Sequence, residues 1–242
     1  MSLLSIFALL AAAFLQFPED YKDAGMTDLQ KRQLGYDFGR CVVKQRAKLA
    51  SRVIVANLTN AEIIRKHSTL IDGKCLVKSW PTTSSGGMEM KLPGDLLQYS
   101  LADALIALEF ATGLPAGLAT RPALDHHPVI PADYEPGPGK KLKPKQLEAM
   151  AEAKANALLF RYMARFGECV ARANPLFAHR LVMSKPGTAE ERAALTGLKP
   201  AFNNCVEVGQ IFSVNFTMLR GTVALNAYRL AHAPAAMVGA AR

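Results

Sequence analysis

The four cysteines are the residues of this chain whose chemistry is easiest to interpret. Cys41 and Cys169 each stand in a Phe-Gly-x-Cys-Val motif, and one more cysteine follows each motif, Cys75 and then Cys205. Thiol oxidoreductases and structural zinc sites need cysteines only a few residues apart, as in Cys-x-x-Cys. The spacing here is far wider. The pattern therefore predicts structural disulfides and favours neither redox chemistry nor a zinc site.

An internal repeat predicts how these cysteines pair. At a constant offset of 128, a set of positions spaced three or four residues apart recurs, as on one face of a helix. The offset slips to 130 at the second cysteine and to 127 where Leu92-x-Gly94 matches Leu219-x-Gly221. Four cysteines allow three pairings. The repeat favours the pairs within each half, and a pairing exchanged between the halves is the alternative. The matching positions are Leu34, Phe38, Cys41, Val42, Gln45, Leu49 and Val53 with Tyr162, Phe166, Cys169, Val170, Ala173, Phe177 and Leu181.

His126-His127, with Asp125, Asp133 and Glu135 nearby, is the one local cluster of potential metal ligands. Adjacent side chains on an extended segment point in opposite directions, so the two histidines cannot easily share one ion. We interpret this segment as a solvated linker and assign no metal ligand and no cofactor-binding residue.

Two groups of basic residues could bind anions or serve the structure. Lys140, Lys141, Lys143 and Lys145 form a basic cluster whose usual explanation is a solvated surface. Arg52 and Arg180 occupy equivalent positions in the repeat, and we expect them to pair with the helix-start glutamates, Glu62 or Glu190. A two-fold binding site is the alternative for that pair.

Catalytic motifs are missing from the sequence. It contains no Gly-x-Ser-x-Gly, no His-Glu-x-x-His and no phosphate-binding glycine loop. His67, His179 and His232 have no histidine at the equivalent repeat position. We therefore assign no catalytic residue.

Capping patterns and apolar spacing predict a mainly α protein. Thr27-x-x-Gln30 and Thr59-x-x-Glu62 have the form of capping boxes. Asn174-Pro175 should interrupt a helix in the second half, where the first half has no proline. Residues 88–92 and 211–216 could form one short pairing of strands. The predicted helices cover residues 27–55, 59–73, 93–112, 144–174, 188–198 and 217–232.

The predicted organisation is a duplicated, disulfide-stapled helical unit. Two pseudo-equivalent repeats, residues 27–112 and 144–232, are joined by a proline-rich linker over residues 113–143. Residues 233–242 form a flexible tail. We expect the halves to pack on one another, because each alone has a thin core.

Residues 1–17 resemble a secretory signal peptide. They form an uncharged apolar run that suits the core of such a signal and is short for a transmembrane helix, and Ala11 and Ala13 offer a small-x-small cleavage pattern. No other stretch is apolar enough to cross a bilayer. Together with the paired cysteines, this predicts a periplasmic or secreted protein.

The net charge of +9 favours anionic partners. The basic residues are spread along the chain, so the plainer interpretation is a surface that keeps the protein soluble. The partner is not identified; an envelope protein or an anionic envelope component fits, and the pattern does not favour nucleic acid.

The two motifs, a capping glutamate, the second cysteine, Leu219-Arg220-Gly221 and Tyr228 together resemble small exported helical proteins of alphaproteobacterial type. The resemblance covers both repeats, and the first departs from it with Leu92-Pro93-Gly94 in place of Leu-Arg-Gly. It implies an exported helical protein and brings no activity and no catalytic residue.

Three functions are compatible with this sequence. The first is a non-catalytic exported binding or structural protein. The second is a carrier that holds a small apolar ligand between the two repeats, which requires an enclosed apolar cavity there. The third is an enzyme of unrecognised type, which requires a cleft with convergent titratable groups.

Overall fold

The computed structural model describes residues 27–79, 96–130, 133, 135–137, 139, 141–207 and 215–234. The prediction of a mainly α fold is confirmed: this part of the chain contains eight α-helices and two short 3₁₀ turns, and no strand. The signal peptide, the strand at 88–92, most of the strand at 211–216 and the tail beyond residue 234 lie outside the described residues.

The helices alternate between long and short elements in both halves. In chain order they are α1 (Asp28–Val55), α2 (Asn60–Lys66), α3 (Gly73–Ser79), α4 (Leu96–Glu109), α5 (Pro144–Ala173), α6 (Pro175–Met183), α7 (Ala189–Cys205) and α8 (Phe216–His232). We call α1 to α4 the first lobe and α5 to α8 the second lobe.

The long helix of each lobe is broken at the same place, although the sequence predicts a break only in the second. Asn174 (φ −147°, ψ 74°) separates α5 from α6, and Pro175 takes the first position of α6, where its missing N–H costs nothing. In the first lobe Arg46 (φ −139°, ψ 35°) bends α1 without a proline. These two residues are 128 positions apart, which is the offset of the sequence repeat.

Four predicted helix boundaries are wrong, and one of them is the end of the third predicted helix, which lies at Glu109 and not at residue 112. The second helix ends at Lys66, and a 3₁₀ turn at Ser68–Leu70 leads into a separate α3. The helix predicted to end at residue 198 continues to Cys205. The last helix is capped by Asn215 and not by Thr217, because the Asn215 side chain accepts a hydrogen bond from the Met218 N–H at 2.8 Å.

The two lobes share a packing pattern in which the long helix lies against a later one. In the first lobe α1 packs on α4, and in the second α5 packs on α8. Glycines permit both contacts: a Cβ added to Gly39 would overlap the backbone of Ser100, and one added to Gly167 would lie 2.6 Å from the Thr222 carbonyl oxygen. These glycines are also 128 positions apart.

Helices α4 and α8 join the lobes at the centre of the molecule. They pack against each other, and Gly221 of α8 lies directly against the ring of Tyr99 on α4. The buried core of the first lobe also includes residues of α8: Ala224, Ala227, Tyr228 and Leu230. The centre between the lobes is therefore filled by side chains.

The described segment of residues 110–130, which follows α4, lies against α5 of the second lobe and also contacts Asn57 of the first lobe. It contains a 3₁₀ turn at Leu118–Thr120, which packs on α5, and residues 122–130 have no regular secondary structure. We call residues 118–127 the strap. Within the described ranges, no helix combines the length and the apolarity that crossing a bilayer requires.

Candidate anion-binding sites

Both lobes are closed by a disulfide within the lobe. Cys41 of α1 bonds to Cys75 of α3, with their Cα atoms 5.5 Å apart. Cys169 of α5 bonds to Cys205 at the end of α7, with Cα atoms 5.7 Å apart. The structure therefore contains the pairs that the repeat predicts, and all four cysteines are bonded.

Glu168, which precedes the cysteine in the second motif, holds the strap to α5. One carboxylate oxygen accepts hydrogen bonds from the Leu124 N–H at 3.1 Å and from the Arg172 guanidinium at 2.6 and 2.8 Å. The other lies 2.6 Å from Nε2 of His126. Only 11% of the Glu168 side chain is exposed. A buried carboxylate with this many donors is a fixed structural charge and not a reactive acid.

The pKa values of Glu168 and His126 are both lowered from their ordinary values. Burial raises the pKa of Glu168, but hydrogen bonds from the Leu124 backbone, Arg172 and His126 outweigh burial and lower it overall. Burial lowers the pKa of His126, and Glu168 opposes that effect only in part. His126 is therefore neutral at pH 7 and donates its Nε2 proton to a charged carboxylate.

Further side chains bind the strap through its backbone carbonyls. The Arg172 guanidinium donates to four of them, those of residues 118, 119, 121 and 122, at 2.6 to 3.3 Å. Arg229 donates to the Asp125 carbonyl at 2.6 Å, and Arg161 to that of His127 at 3.3 Å. Because side chains satisfy these carbonyls, the strap keeps a defined path without secondary structure.

The interpretation of the histidine pair as a solvated linker is wrong for His126. Its side chain is only 10% exposed and contacts Glu168. His127 diverges from it, and its Nε2 lies 2.6 Å from the Asn57 carbonyl oxygen in the first lobe. Among the described residues, no group of three or more histidine, cysteine, aspartate or glutamate side chains is arranged to hold a metal ion.

An open groove of about 720 Å³ lies between the strap and α5. Arg161, Arg165 and Arg172 line its helical wall at positions that share one face of α5 with Glu168. The strap forms the other wall through Ala119, Ala123, Leu124, Asp125 and His126. The groove combines guanidinium groups with small apolar side chains.

A second cationic surface covers the first lobe. Between Cys41 and Cys75 the chain has seven lysines and arginines against two acidic residues. Lys66 is ion-paired with Glu62 at 3.5 Å, and no other described cation of this stretch has an ion pair. We call the other six, all exposed, the basic face: Lys44, Arg46, Lys48, Arg52, Arg65 and Lys74.

Lys44, Lys48 and Arg52 follow one another at intervals of four residues on α1. Lys48 and Arg52 share one face of the helix after the bend at Arg46, and Lys44 is exposed just before that bend. Lys74 precedes Cys75, which the disulfide ties to α1 one turn before Lys44. The expected pairing of Arg52 with Glu62 is wrong, because the Glu62 carboxylate contacts Thr59 and Lys66. In the second lobe Arg180 lies over the ring of Phe177, 5.1 Å from its centroid.

A buried ionic network crosses between the lobes at Arg220 of the Leu-Arg-Gly motif. Its guanidinium donates to Asp103 of α4 at 2.8 Å and to Glu191 of α7 at 3.3 Å. It also donates to the carbonyls of Val182 and Ser184, each at 2.8 Å. Arg220 and Asp103 are each 7% exposed and Glu191 is 4% exposed. These contacts lock α8 onto both lobes.

A polar cluster lies near the other end of α8. The Tyr228 hydroxyl contacts Ser51 at 2.6 Å and both oxygens of Glu109 at 2.9 and 3.0 Å, and His232 lies 3.0 Å from Glu109. Burial raises the pKa of Tyr228, so the hydroxyl keeps its proton and donates it to the carboxylate. The cluster links α1, α4 and α8.

Sequence reasoning missed Glu168 and Arg172, although one signal for them was present. The variable position of the Phe-Gly-x-Cys-Val motif changes from Arg40 to Glu168, and a reversal of charge inside a repeat marks a new partner. The lysine cluster contributes nothing to the groove lining: Lys141, Lys143 and Lys145 are exposed around the start of α5, and Lys140 lies outside the described residues.

Comparisons with known proteins found no match for this chain. No protein-family model matches the chain, and neither a curated protein nor a solved structure matches it.

Proposed function

We propose that this chain is a non-catalytic exported binding protein that contacts an anionic component of the cell envelope through its basic face. The supporting observation is the set of six exposed cations inside the first disulfide loop, which have no acidic partner among the described residues. Such a surface attracts anionic groups over a distance of about 10 Å at moderate salt.

Export is the second part of this proposal. Two disulfides in a chain of this size favour an oxidising compartment, the periplasm or the outside of the cell. The apolar run at residues 1–17 fits a signal peptide that directs the chain there.

The packing between the lobes supports a binding protein over a carrier. A carrier needs an enclosed apolar cavity at the α4–α8 contact, where Gly221 instead lies against the ring of Tyr99. The second described pocket, beside this contact, has a volume of about 30 Å³, which is room for a single water molecule.

An enzyme has less support than a binding protein. Among the described residues, the group most like a catalytic cluster is Ser51, Glu109, Tyr228 and His232, where the tyrosine hydroxyl donates to the Glu109 carboxylate. A raised pKa makes the Tyr228 hydroxyl a poorer general acid and leaves little tyrosinate to act as a base, so the arrangement suits structural linkage.

We also infer that the two lobes descend from one duplicated unit. Supporting observations are the matching breaks at Arg46 and Asn174 and the matching contacts of Gly39 and Gly167. The glycine contacts pair Ser100 with Thr222, so α4 and α8 align at an offset of 122. Leu92 and Gly94, which suggested an offset of 127, lie outside the described residues.

Charge reversal on the basic face tests the proposed function. We expect the full-length secreted chain to bind vesicles containing phosphatidylglycerol, or soluble polyglutamate, at low salt. The triple variant K44E/K48E/R52E should lose roughly 3 kcal/mol of binding free energy, about a hundredfold in affinity, at about 1 kcal/mol per cation. Co-sedimentation measures binding to the vesicles, and fluorescence anisotropy measures binding to polyglutamate.

The matched control is K185E/R192E/K199E, which changes the net charge equally on exposed residues of the second lobe. It should keep most of the affinity. Equal loss of affinity in both triple variants would show that binding depends on the overall charge and not on the basic face. If the wild-type chain binds neither ligand, the proposal is overturned.

A further inference from the structure

The groove between the strap and α5 has the features of a ligand site that does not depend on the basic face. Its volume of about 720 Å³ lies in the range of small-molecule sites. It belongs to the second lobe, and none of the basic-face residues lines it.

Two arginines on the helical wall keep donors for a ligand. Arg161 and Arg165 are four residues apart, so their Cβ atoms lie about 6 Å apart on one face of α5. Arg161 uses one nitrogen for the His127 carbonyl. Arg165 is 61% exposed and lies 3.6 Å from Glu207, which is itself half exposed. A guanidinium carries five N–H donors, so these contacts leave most of them available.

The two carboxylates in the groove do not cancel this positive charge. Glu168 is surrounded by Arg172, His126 and the Leu124 N–H. Asp125 lies within the electrostatic reach of Arg229, whose guanidinium binds the Asp125 carbonyl.

The opposite wall offers apolar contact. Ala119, Ala123 and Leu124 of the strap face the groove, and Ala173 and the Cys169 disulfide lie along α5. These small side chains leave space beside the arginines and provide no partner for a second charge.

We propose that this groove binds a small organic anion whose carboxylate is held by Arg161 and Arg165 and whose apolar body lies against the strap. A planar guanidinium pairs with a carboxylate through two parallel hydrogen bonds, so the head group is selected by charge and by shape. The apolar body adds affinity in proportion to the surface that it buries.

Three probes test this assignment on the full, disulfide-bonded chain: octanoate, acetate and octylammonium. Octanoate should shift the backbone amide resonances of residues 119–126 and 161–173 in two-dimensional NMR spectra. Acetate should bind at least tenfold more weakly because it lacks the apolar body, and octylammonium should not bind. Equal binding of octanoate and octylammonium would overturn the proposal, since the arginines would then select nothing.

Single and double variants locate the head group. R165Q should weaken octanoate binding at least fivefold and R161Q/R165Q at least tenfold, whereas R192Q/K199Q should leave it unchanged. Because Arg161 also contacts the strap, R165Q is the decisive variant. It leaves every strap contact in place, and an unchanged His126 resonance in R165Q shows that the strap is intact. Unchanged octanoate affinity in R165Q would contradict the assignment.

The basic-face variant separates this inference from the proposed function. K44E/K48E/R52E should bind octanoate like the wild type, because its substitutions lie in the other lobe. Failure of octanoate to bind would end this inference and leave the vesicle and polyglutamate results unaffected.

Discussion

The two lobes share a scaffold and use the same face of their long helix in different ways. In the second lobe Glu168 and Arg172 fix the strap across α5. The positions 128 residues earlier are Arg40 and Lys44. Arg40 lies over the ring of Tyr36, 4.2 Å from its centroid, and Lys44 is exposed. The side chain is therefore exposed at Lys44 and covered at Arg172, and the charge changes sign between the half-buried Arg40 and Glu168.

The two lobes share some contacts and differ in others. Both lobes keep the disulfide, the helix break and the close glycine contact, which maintain the scaffold. In the second lobe Glu168 and Arg172 hold the strap, and Glu191 binds Arg220. In the first lobe the six cations of the basic face lie on the surface without an ion pair among the described residues.

Arg220 and Gln98 provide the largest contrast between the lobes. At the offset of 122 they are equivalent, and each donates to carbonyls beyond the end of the long helix: Gln98 to Leu58, and Arg220 to Val182 and Ser184. Arg220→Met should cost about 3–5 kcal/mol of unfolding free energy, because Asp103 would stay buried without an ion pair and Glu191 would keep only Arg32. Gln98→Met should cost about 1 kcal/mol.

Urea unfolding followed by circular dichroism measures both changes. If Arg220→Met fails to fold, Arg220→Lys keeps the charge and should show an intermediate loss, since the three donors of an ammonium group cannot replace the contacts to Asp103, Glu191 and two carbonyls. Equal losses of unfolding free energy in Gln98→Met and Arg220→Met would show that the ionic network adds no stability beyond the hydrogen bonds to backbone carbonyls that both residues make.

The disulfides should behave alike, since they close loops of nearly equal length, with sequence separations of 34 and 36. Cys41→Ala/Cys75→Ala and Cys169→Ala/Cys205→Ala should each lower the unfolding free energy by about 4 kcal/mol in the chain-entropy model. Thermal unfolding of the two double variants measures this. A difference above about 2 kcal/mol would show that the lobes do not depend equally on their bonds.

The helical fold could be predicted because its signals are local. Thr27 and Thr59 begin helices through capping boxes that are visible in the sequence, and both form in the structure. The repeat also identified the cysteine pairs. The strap contacts could not be predicted, because Glu168 meets Leu124 and His126 only after two helices pack and the linker folds back. Nothing within a few residues of Glu168 indicates those partners.

The difference between the open and the covered face could not be predicted for the same reason. A segment distant in sequence decides whether the side chain at this helix position, Lys44 in one lobe and Arg172 in the other, stays exposed. The count of basic residues indicated only an even spread. The structure adds which of these residues have ion pairs, as Arg32 and Arg220 have with Glu191, and which of them lie on the surface.

Removing the Glu168 charge should loosen the strap and leave the first lobe unchanged. Glu168→Gln weakens contacts to Arg172, His126 and the Leu124 N–H, so we expect a loss of about 1–3 kcal/mol. Limited proteolysis should then cut between residues 118 and 127 faster than in the wild type. Arg40→Gln, at the equivalent position, is the control and should leave strap cleavage unchanged; equal acceleration would indicate general loosening.

Acid should act on the strap in the same direction as Glu168→Gln. The pKa values of His126 and Glu168 are both lowered on folding. Their contribution to the unfolding free energy is therefore complete above the ordinary pKa values of 6.5 and 4.5. It is lost as the pH falls through the lowered values, first at the histidine. The His126 ring resonance should titrate below pH 6.5 in NMR spectra, and lower still in Glu168→Gln, because the carboxylate supports the charged ring. A midpoint above 6.5 would contradict the neutral histidine.

The smallest expected effect is on the stability of the basic face itself. Lys44→Glu and Lys48→Glu replace exposed side chains without ion pairs, so each should change the unfolding free energy by about 0.5 kcal/mol or less. Repulsion among the neighbouring cations should even make the change slightly favourable at low salt. Urea unfolding at two salt concentrations measures this. A loss above 1 kcal/mol would mean that these lysines support the first lobe as Arg172 supports the second, and the contrast between an open and a covered face would disappear.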